Sequence, residues 1–199
     1  MKTCLVASLV AVVLSSAACS GVSSEEQARR AYLGLDKSIG KSLALGFDGF
    51  NAASSANIAP QSTAGDKSGT LTITGQVDQG ASANKGMRLK VGMTEYSDGA
   101  QAVDGGNIGN ITYKTATDTA TQPALELSLK NIPTGTLTGT LVGDFEMTGD
   151  MTGSVHLNLS VSGTLEDDGT GKVRRKAGTT TVTGTATAGQ GNYQVNLTL

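Results

Sequence analysis

The spacing of apolar residues changes twice along the chain. Leu5 to Leu14, LVASLVAVVL, is a short continuous run. Apolar positions then recur at Ala28, Ala31, Tyr32, Leu35, Ile39, Leu43, Phe47 and Phe50, mostly three or four residues apart. That spacing predicts an amphipathic helix from about residue 24 to about residue 55. Ser23 and Ser24 before Glu25 and Glu26 mark its start, because serine accepts from free first-turn amides and acids suit the positive end of the dipole. Gly34, Gly40, Gly46 and Gly49 weaken the pattern, and a break is expected near Gly46 or Gly49. Residues 56–68 read as loop.

Beyond residue 68 the period falls to two, the signature of half-buried strands. Eight segments carry it. They are Leu71–Val77, Met87–Met93, Ile111–Tyr113, Leu125–Leu129, Leu137–Met147, Val155–Leu165, Val182–Ala186 and Tyr193–Leu199. Gly149-Asp150 and Gly189-Gln190-Gly191 read as hairpin turns. Short connections make consecutive strands antiparallel, with one face buried and one wet. The expected fold is mainly β with one N-terminal helix: a curved antiparallel sheet, or open half barrel, of about eight strands packed on the long helix. Gly75, Gly139, Gly143, Gly163 and Gly184 fall on the apolar side of their strands. Either Tyr32, Phe47 and Phe50 of the helix sit over them, or they permit bends and bulges.

The N-terminal run is too short to span a bilayer, which takes about 20 residues. With Lys2 before it and the small residues Ser15 to Ala18 after it, residues 1–18 read as an export signal. Ser16-Ala17-Ala18-Cys19 resembles the lipobox of bacterial lipoproteins. The resemblance covers residues 1–21 and implies a diacylglycerol on the Cys19 thiol, cleavage before Cys19 and acylation of the new amine. Ser16 departs from the pattern, which usually has Leu there. Ser16-Ala17-Ala18 also resembles an ordinary signal-peptidase site, which would release a soluble periplasmic or secreted protein. Cys4 lies inside the leader, so Cys19 is the only cysteine of a cleaved chain and has no partner for an intramolecular disulfide. Several acyl chains hold a protein at a membrane where one does not. Ser20 follows Cys19 where an inner-membrane lipoprotein would carry Asp, so the resemblance implies outer-membrane sorting if the host is Gram-negative. The expected organisation is a signal peptide at 1–18, a tether at 19–24 reaching at most ~18 Å, and one domain at 25–199.

Composition narrows the chemistry. The 199 residues hold 27 Gly, no Trp, one His and a formal net charge of -2. No charge excess favours nucleic acid. The basic cluster Arg174-Arg175-Lys176 follows Glu166-Asp167-Asp168 and reads as a solvated loop. His156 alternates with polar neighbours and reads as a surface histidine. No nucleophile elbow, HExxH motif or phosphate loop is present. Two acidic stretches, Asp98 to Asn107 and Glu166 to Lys172, carry oxygen ligands beside glycines, the chemistry of calcium loops, but they equally have the composition of exposed turns. Asp144 and Glu146 share the outward face of one strand, where a carboxylate pair could serve glycoside hydrolysis, but they sit among many other exposed polar residues, and the aromatic platforms usual in sugar clefts are missing, with no Trp and scattered Tyr.

The expectation is therefore a non-catalytic protein with no cofactor and no metal site, anchored to the cell envelope through Cys19. Its partner would be an envelope protein or glycan met by a polar Thr/Ser/Asn sheet face. The alternative is a carrier of a lipid or other apolar ligand, with Met87, Met93, Met147 and Met151 as adaptable wall residues. Whether the helix stripe fills the concave face decides between them.

Overall fold

The structure, a computed structural model, describes residues 24–199 except 101, 104, 105 and 108; of 102, 103, 106 and 107 it describes the backbone. Cys19 and the leader lie outside the described residues. Two helices come first, α1 (Ser24–Leu33) and α2 (Asp36–Ala52). Twelve strands follow. They are β1 (Gln61–Ala64), β2 (Ser68–Val77), β3 (Lys85–Ser97), β4 (Ala102–Val103), β5 (Gly106–Asn107), β6 (Ile111–Lys114), β7 (Ala124–Lys130), β8 (Thr136–Gly149), β9 (Gly153–Asp167), β10 (Val173–Arg175), β11 (Thr181–Ala188) and β12 (Gly191–Thr198).

Ten strands form one antiparallel sheet with the order β1-β2-β3-β6-β8-β9-β11-β12. Strand β7 lies beyond β6 in the same gap, between β3 and β8. Strand β10 pairs with the far end of β9. Strands β4 and β5 pair with each other in a separate two-stranded sheet. All eight expected strands are present in the main sheet. The two additions are short. Strand β1 lies inside the expected loop 56–68 and pairs with β2. Strand β10 takes Arg174 and Arg175 out of the expected solvated loop and pairs them with Glu166 and Leu165. Three or four residues are too few for a period of two to register.

The sheet stays open, and the helical segment fills its concave side. Helix α1 packs on β12, β11 and β9, while α2 packs on β2, β1, β10 and β3. Ala28, Ala31, Tyr32, Leu35, Ile39, Leu43 and Phe47 are each 4% exposed or less, and they join one core cluster with the inward faces of the strands. Phe50, expected on the same stripe, is only partly buried.

The helix breaks at Gly34, not near Gly46 or Gly49. Tyr113 reaches from β6 and donates its hydroxyl to the Ala31 carbonyl (2.8 Å), and its ring stands where a Cβ on Gly34 would be. Leu35 then turns tightly, its N–H bonding the Tyr32 carbonyl at 2.7 Å. The Ser38 hydroxyl donates to the Leu35 carbonyl at 2.6 Å. Gly46 and Gly49 serve close approach instead. A Cβ at Gly46 would lie 2.9 Å from Leu89 Cδ1, and one at Gly49 2.7 Å from Ile58 Cδ1.

The strand glycines do not receive the helix aromatics. Gly75 and Gly184 have φ of 130° and 143°, a region that side-chain-bearing residues rarely adopt. A Cβ on either would meet backbone of the adjacent strand, at Arg88 and Leu89 for Gly75 and at Asn158 and Leu159 for Gly184. They allow the adjacent strand's backbone to come close instead.

Candidate functional site

The polar candidates fall into three places. The first is the outer, convex sheet face. Residues opposite one another on β8, β9, β11 and β12 form cross-strand rows: Thr138, Ser162, Thr181, Thr198, and next to it Thr140, Ser160, Thr183, Asn196. Neighbouring positions are spaced by about 4.8 Å across strands and by about 7 Å along one strand. Ser162 and Thr181 hydroxyls are 2.9 Å apart, so the row is partly bonded to itself. The face is exposed along β11 and β12, with no charge on either strand.

The carboxylates and the histidine lie on that face too. His156 Nδ1 is 2.8 Å from Asp144 Oδ1, across the β8–β9 pair, and both side chains are well exposed. Glu146 bonds Lys114 at 3.0 Å. The expected carboxylate pair is thus divided between two cross-strand partners. Thr187 stands opposite His156 on β11, with no hydrogen bond between them among the contacts of the structure. The row Asp144, His156, Thr187 lies on an open face rather than in a cleft.

The second place is the junction of α2 with the end of β3. Asp98, from the first acidic stretch, is buried there, its side chain 1% exposed. Its Oδ1 accepts from Lys41 Nζ at 2.6 Å and from the Asp66 N–H at 3.0 Å, and its Oδ2 accepts from the Tyr96 hydroxyl at 2.6 Å. Lys41 also donates to Asp66 Oδ1 at 2.7 Å and lies 5.5 Å from the centroid of the Tyr96 ring. Burial works against the Lys41 charge, but the bonds to Asp66 and Asp98 outweigh it and raise the Lys41 pKa. Burial, then the neighbouring Asp98 carboxylate, raises that of Tyr96. The lysine holds the Asp66 carboxyl below its ordinary range. Asp98 therefore serves a structural ion pair. Asp104 lies outside the described residues. Sequence reasoning missed Lys41, because nothing in its spacing shows that a loop carboxylate folds back onto the helix.

The third place is the flank of α2. A cleft of about 550 Å³ opens between α2 and β10, lined among others by Phe47, Asp48, Asn51, Lys172 and Arg175. Asn51 docks its amide on β10 like a strand partner. It donates to the Val173 carbonyl at 2.8 Å and accepts from the Val173 N–H at 3.0 Å. Arg175 is half-buried, and burial lowers its pKa. Arg174 pairs with Glu166 at 2.8 Å. In the second acidic stretch, Asp168 accepts from the Thr170 hydroxyl (2.7 Å), the Thr170 N–H (2.8 Å) and the Lys172 N–H (3.3 Å). Those bonds, the hydroxyl's first, hold its carboxyl below the usual range. Asp167 accepts from the Gly169 and Gly171 amides. The stretch is a self-bonded turn. Among the described residues no group of three or more His, Cys, Asp or Glu is placed to hold a metal ion.

Of the methionines expected as cavity walls, Met87 and Met93 are core, whereas Met147 and Met151 line an open cleft. Met87, Met93 and Met147 are 4% exposed or less, and Met151 is partly buried beside them. A second cleft, of about 450 Å³, opens to solvent where α1 meets the β8–β9 and β11–β12 turns. No helix among the described residues is long and apolar enough to cross a membrane. The architecture is that of an open antiparallel sheet wrapped around a kinked helical segment. Comparison with family models, curated proteins and solved structures finds no match to this chain.

Proposed function

We propose that this chain is a lipid-anchored protein of the bacterial cell envelope with a non-catalytic, interaction role. The reading starts from Ser16-Ala17-Ala18-Cys19 and its resemblance to a lipobox. The observation that carries the choice of role is the helical segment in the concave side of the sheet. Leu35, Ile39, Leu43 and Phe47 take up the apolar volume that a carried lipid would need. The polar surface left to a partner is the Thr/Ser/Asn face of β8, β9, β11 and β12, uncharged along β11 and β12, whose hydroxyl and amide rows suit a glycan or a polar protein surface.

The test is the intact native mass of the protein extracted gently from its host's membranes. A chain beginning at Cys19 and carrying covalent acyl mass supports the anchor. A chain recovered from the soluble fraction without acyl mass refutes it. A further dissociable apolar ligand would refute the interaction role in favour of the carrier.

A further inference from the structure

We infer that the free edge of β12 is a self-association surface, pairing antiparallel with β12 of a second copy of this chain about a twofold axis beside Val195.

The backbone phase of β12 fixes which groups are available. Leu199 donates its N–H to the Thr180 carbonyl at 2.8 Å, and Thr180 returns the bond at 3.4 Å. From there β11 and β12 pair without a register shift, Thr181 with Thr198 through to Ala188 with Gly191. Bonded and non-bonded pairs alternate in an antiparallel ladder. Gly191, Tyr193, Val195 and Leu197 therefore bond β11. The N–H and C=O groups of Asn192, Gln194, Asn196 and Thr198 point the other way, where β12 has no partner strand among the described residues.

This edge carries none of the usual protection. Exposed edges are normally blunted by lysine, proline, bulges or brevity. From Ala177 to Leu199 the chain has no Asp, Glu, Lys, Arg or Pro. The opposite edge differs: β1 has four residues, follows Pro60 and precedes Asp66 and Lys67. One edge is guarded and the other, twice as long, is open.

A second copy satisfies the open edge in one register. Asn192 faces the partner's Thr198, and Gln194 faces the partner's Asn196. Each of these pairs exchanges two backbone hydrogen bonds, and the twofold repeats them. The facing side chains are neutral, polar and exposed on the convex face, so no like charges oppose. An axis perpendicular to the sheet keeps both helical segments on one side. Ser24 lies on that side against Gly191, which has no room for a Cβ beside the Ser24 carbonyl. Both chains therefore lead toward their N-termini from the same face. Under the lipid-anchor reading both anchors meet one membrane, and confinement there raises the effective concentration of the second copy over any foreign strand. That last point rests on the proposed function; the edge geometry does not.

Native mass spectrometry of the mature chain in mild detergent reads the two ideas separately. Subunit mass reports acylation, and stoichiometry reports pairing. A dimer is expected, with the amides of Asn192, Gln194, Asn196 and Thr198 slowing in hydrogen exchange as concentration rises. The double variant Gln194→Lys/Asn196→Lys sets lysines opposite one another in this register and is expected to weaken association roughly tenfold. The variant Gln194→Lys/Asn196→Glu sets opposite charges facing and is expected to restore it. Both changes sit on exposed side chains, and far-UV circular dichroism checks that the fold persists. A monomer at every concentration overturns the proposal. So does a dimer whose four edge amides exchange freely, or one that ignores the charge variants.

Discussion

Replacing Lys41 with alanine tests whether the helical segment is locked to the sheet by charge as well as by packing. Asp98 is the vulnerable partner, with its side chain 1% exposed, whereas Lys41 is 25% exposed. Removing one member of a buried ion pair costs about 3–5 kcal/mol, chiefly because the remaining charge is stranded. Two neutral donors, the Tyr96 hydroxyl and the Asp66 N–H, stay on Asp98 in the variant. Together with the partial exposure of Lys41, they place the cost near the lower limit, about 3 kcal/mol. For a domain of this size each kcal/mol moves Tm by about 2–4 °C, so Lys41→Ala is expected to melt about 6–12 °C lower. Lys37→Ala is the control. Lys37 bonds Asp66 at 3.3 Å with both side chains about half exposed, and such pairs contribute at most about 1 kcal/mol. A second comparison isolates the stranded charge. In Lys41→Ala/Asp98→Asn the charge is gone, so the double variant is expected to be more stable than Lys41→Ala alone. Urea denaturation of the four proteins supplies the numbers. The reasoning fails if Lys41→Ala is as mild as Lys37→Ala, or if the double variant is the weaker one.

Other perturbations read other parts of the fold. Phe47→Ala is expected to cost about 3–5 kcal/mol in chemical denaturation, as a core aromatic should, and Phe50→Ala less than half of that. Tyr113→Phe leaves the Ala31 carbonyl without its hydroxyl donor and is expected to cost about 1–2 kcal/mol, with faster amide exchange around Gly34. Gly184→Ala is expected to cost about 1–3 kcal/mol from its backbone conformation alone, more with the crowding against Asn158, whereas Gly189→Ala, whose φ is also positive at 57° but whose Cβ would meet open space, is expected to cost about 1 kcal/mol. The lowered Asp66 carboxyl gives a pH dependence. Its contribution is complete above the ordinary value of 3.8 and disappears as pH falls through the lower folded value. Asp66→Asn is therefore expected to flatten the stability profile below about pH 4, and an unchanged profile would remove Asp66 from the acid response.

How much of the molecule was legible in its sequence depended on the length of each repeat. β8 and β9 run for 14 and 15 residues, long enough for a period of two to stand out from chance. The helical stripe from Ala28 to Phe47 was equally plain, and all of it is core. β1 and β10 were not legible, because a strand of three or four residues owes its existence to the neighbour it pairs with, β2 in one case and β9 in the other. The polar cluster was hidden for the same reason. Lys41 and Asp98 are 57 residues apart in sequence, and only the closed fold sets them 2.6 Å apart.

The glycines show where composition misleads and tertiary packing decides. Four of them interrupt the helical stripe with nearly equal claims to end it. Intrinsic propensity treats them alike, at about 1 kcal/mol each relative to alanine. Each one's environment separates them. Gly46 and Gly49 meet Leu89 and Ile58, apolar side chains that reward a closer helix and ask nothing of its hydrogen bonds. Gly40 meets only Leu199, at 3.8 Å. Gly34 meets Tyr113, whose hydroxyl needs an acceptor once it is buried. The Ala31 carbonyl supplies it. A buried tyrosine hydroxyl without a partner would cost more than one regular turn of helix contributes. The chain therefore bends where a distant phenol needs a carbonyl, and α2 leaves the bend to pack on β2, β1, β10 and β3, closing the concave side that α1, on β12, β11 and β9, leaves open.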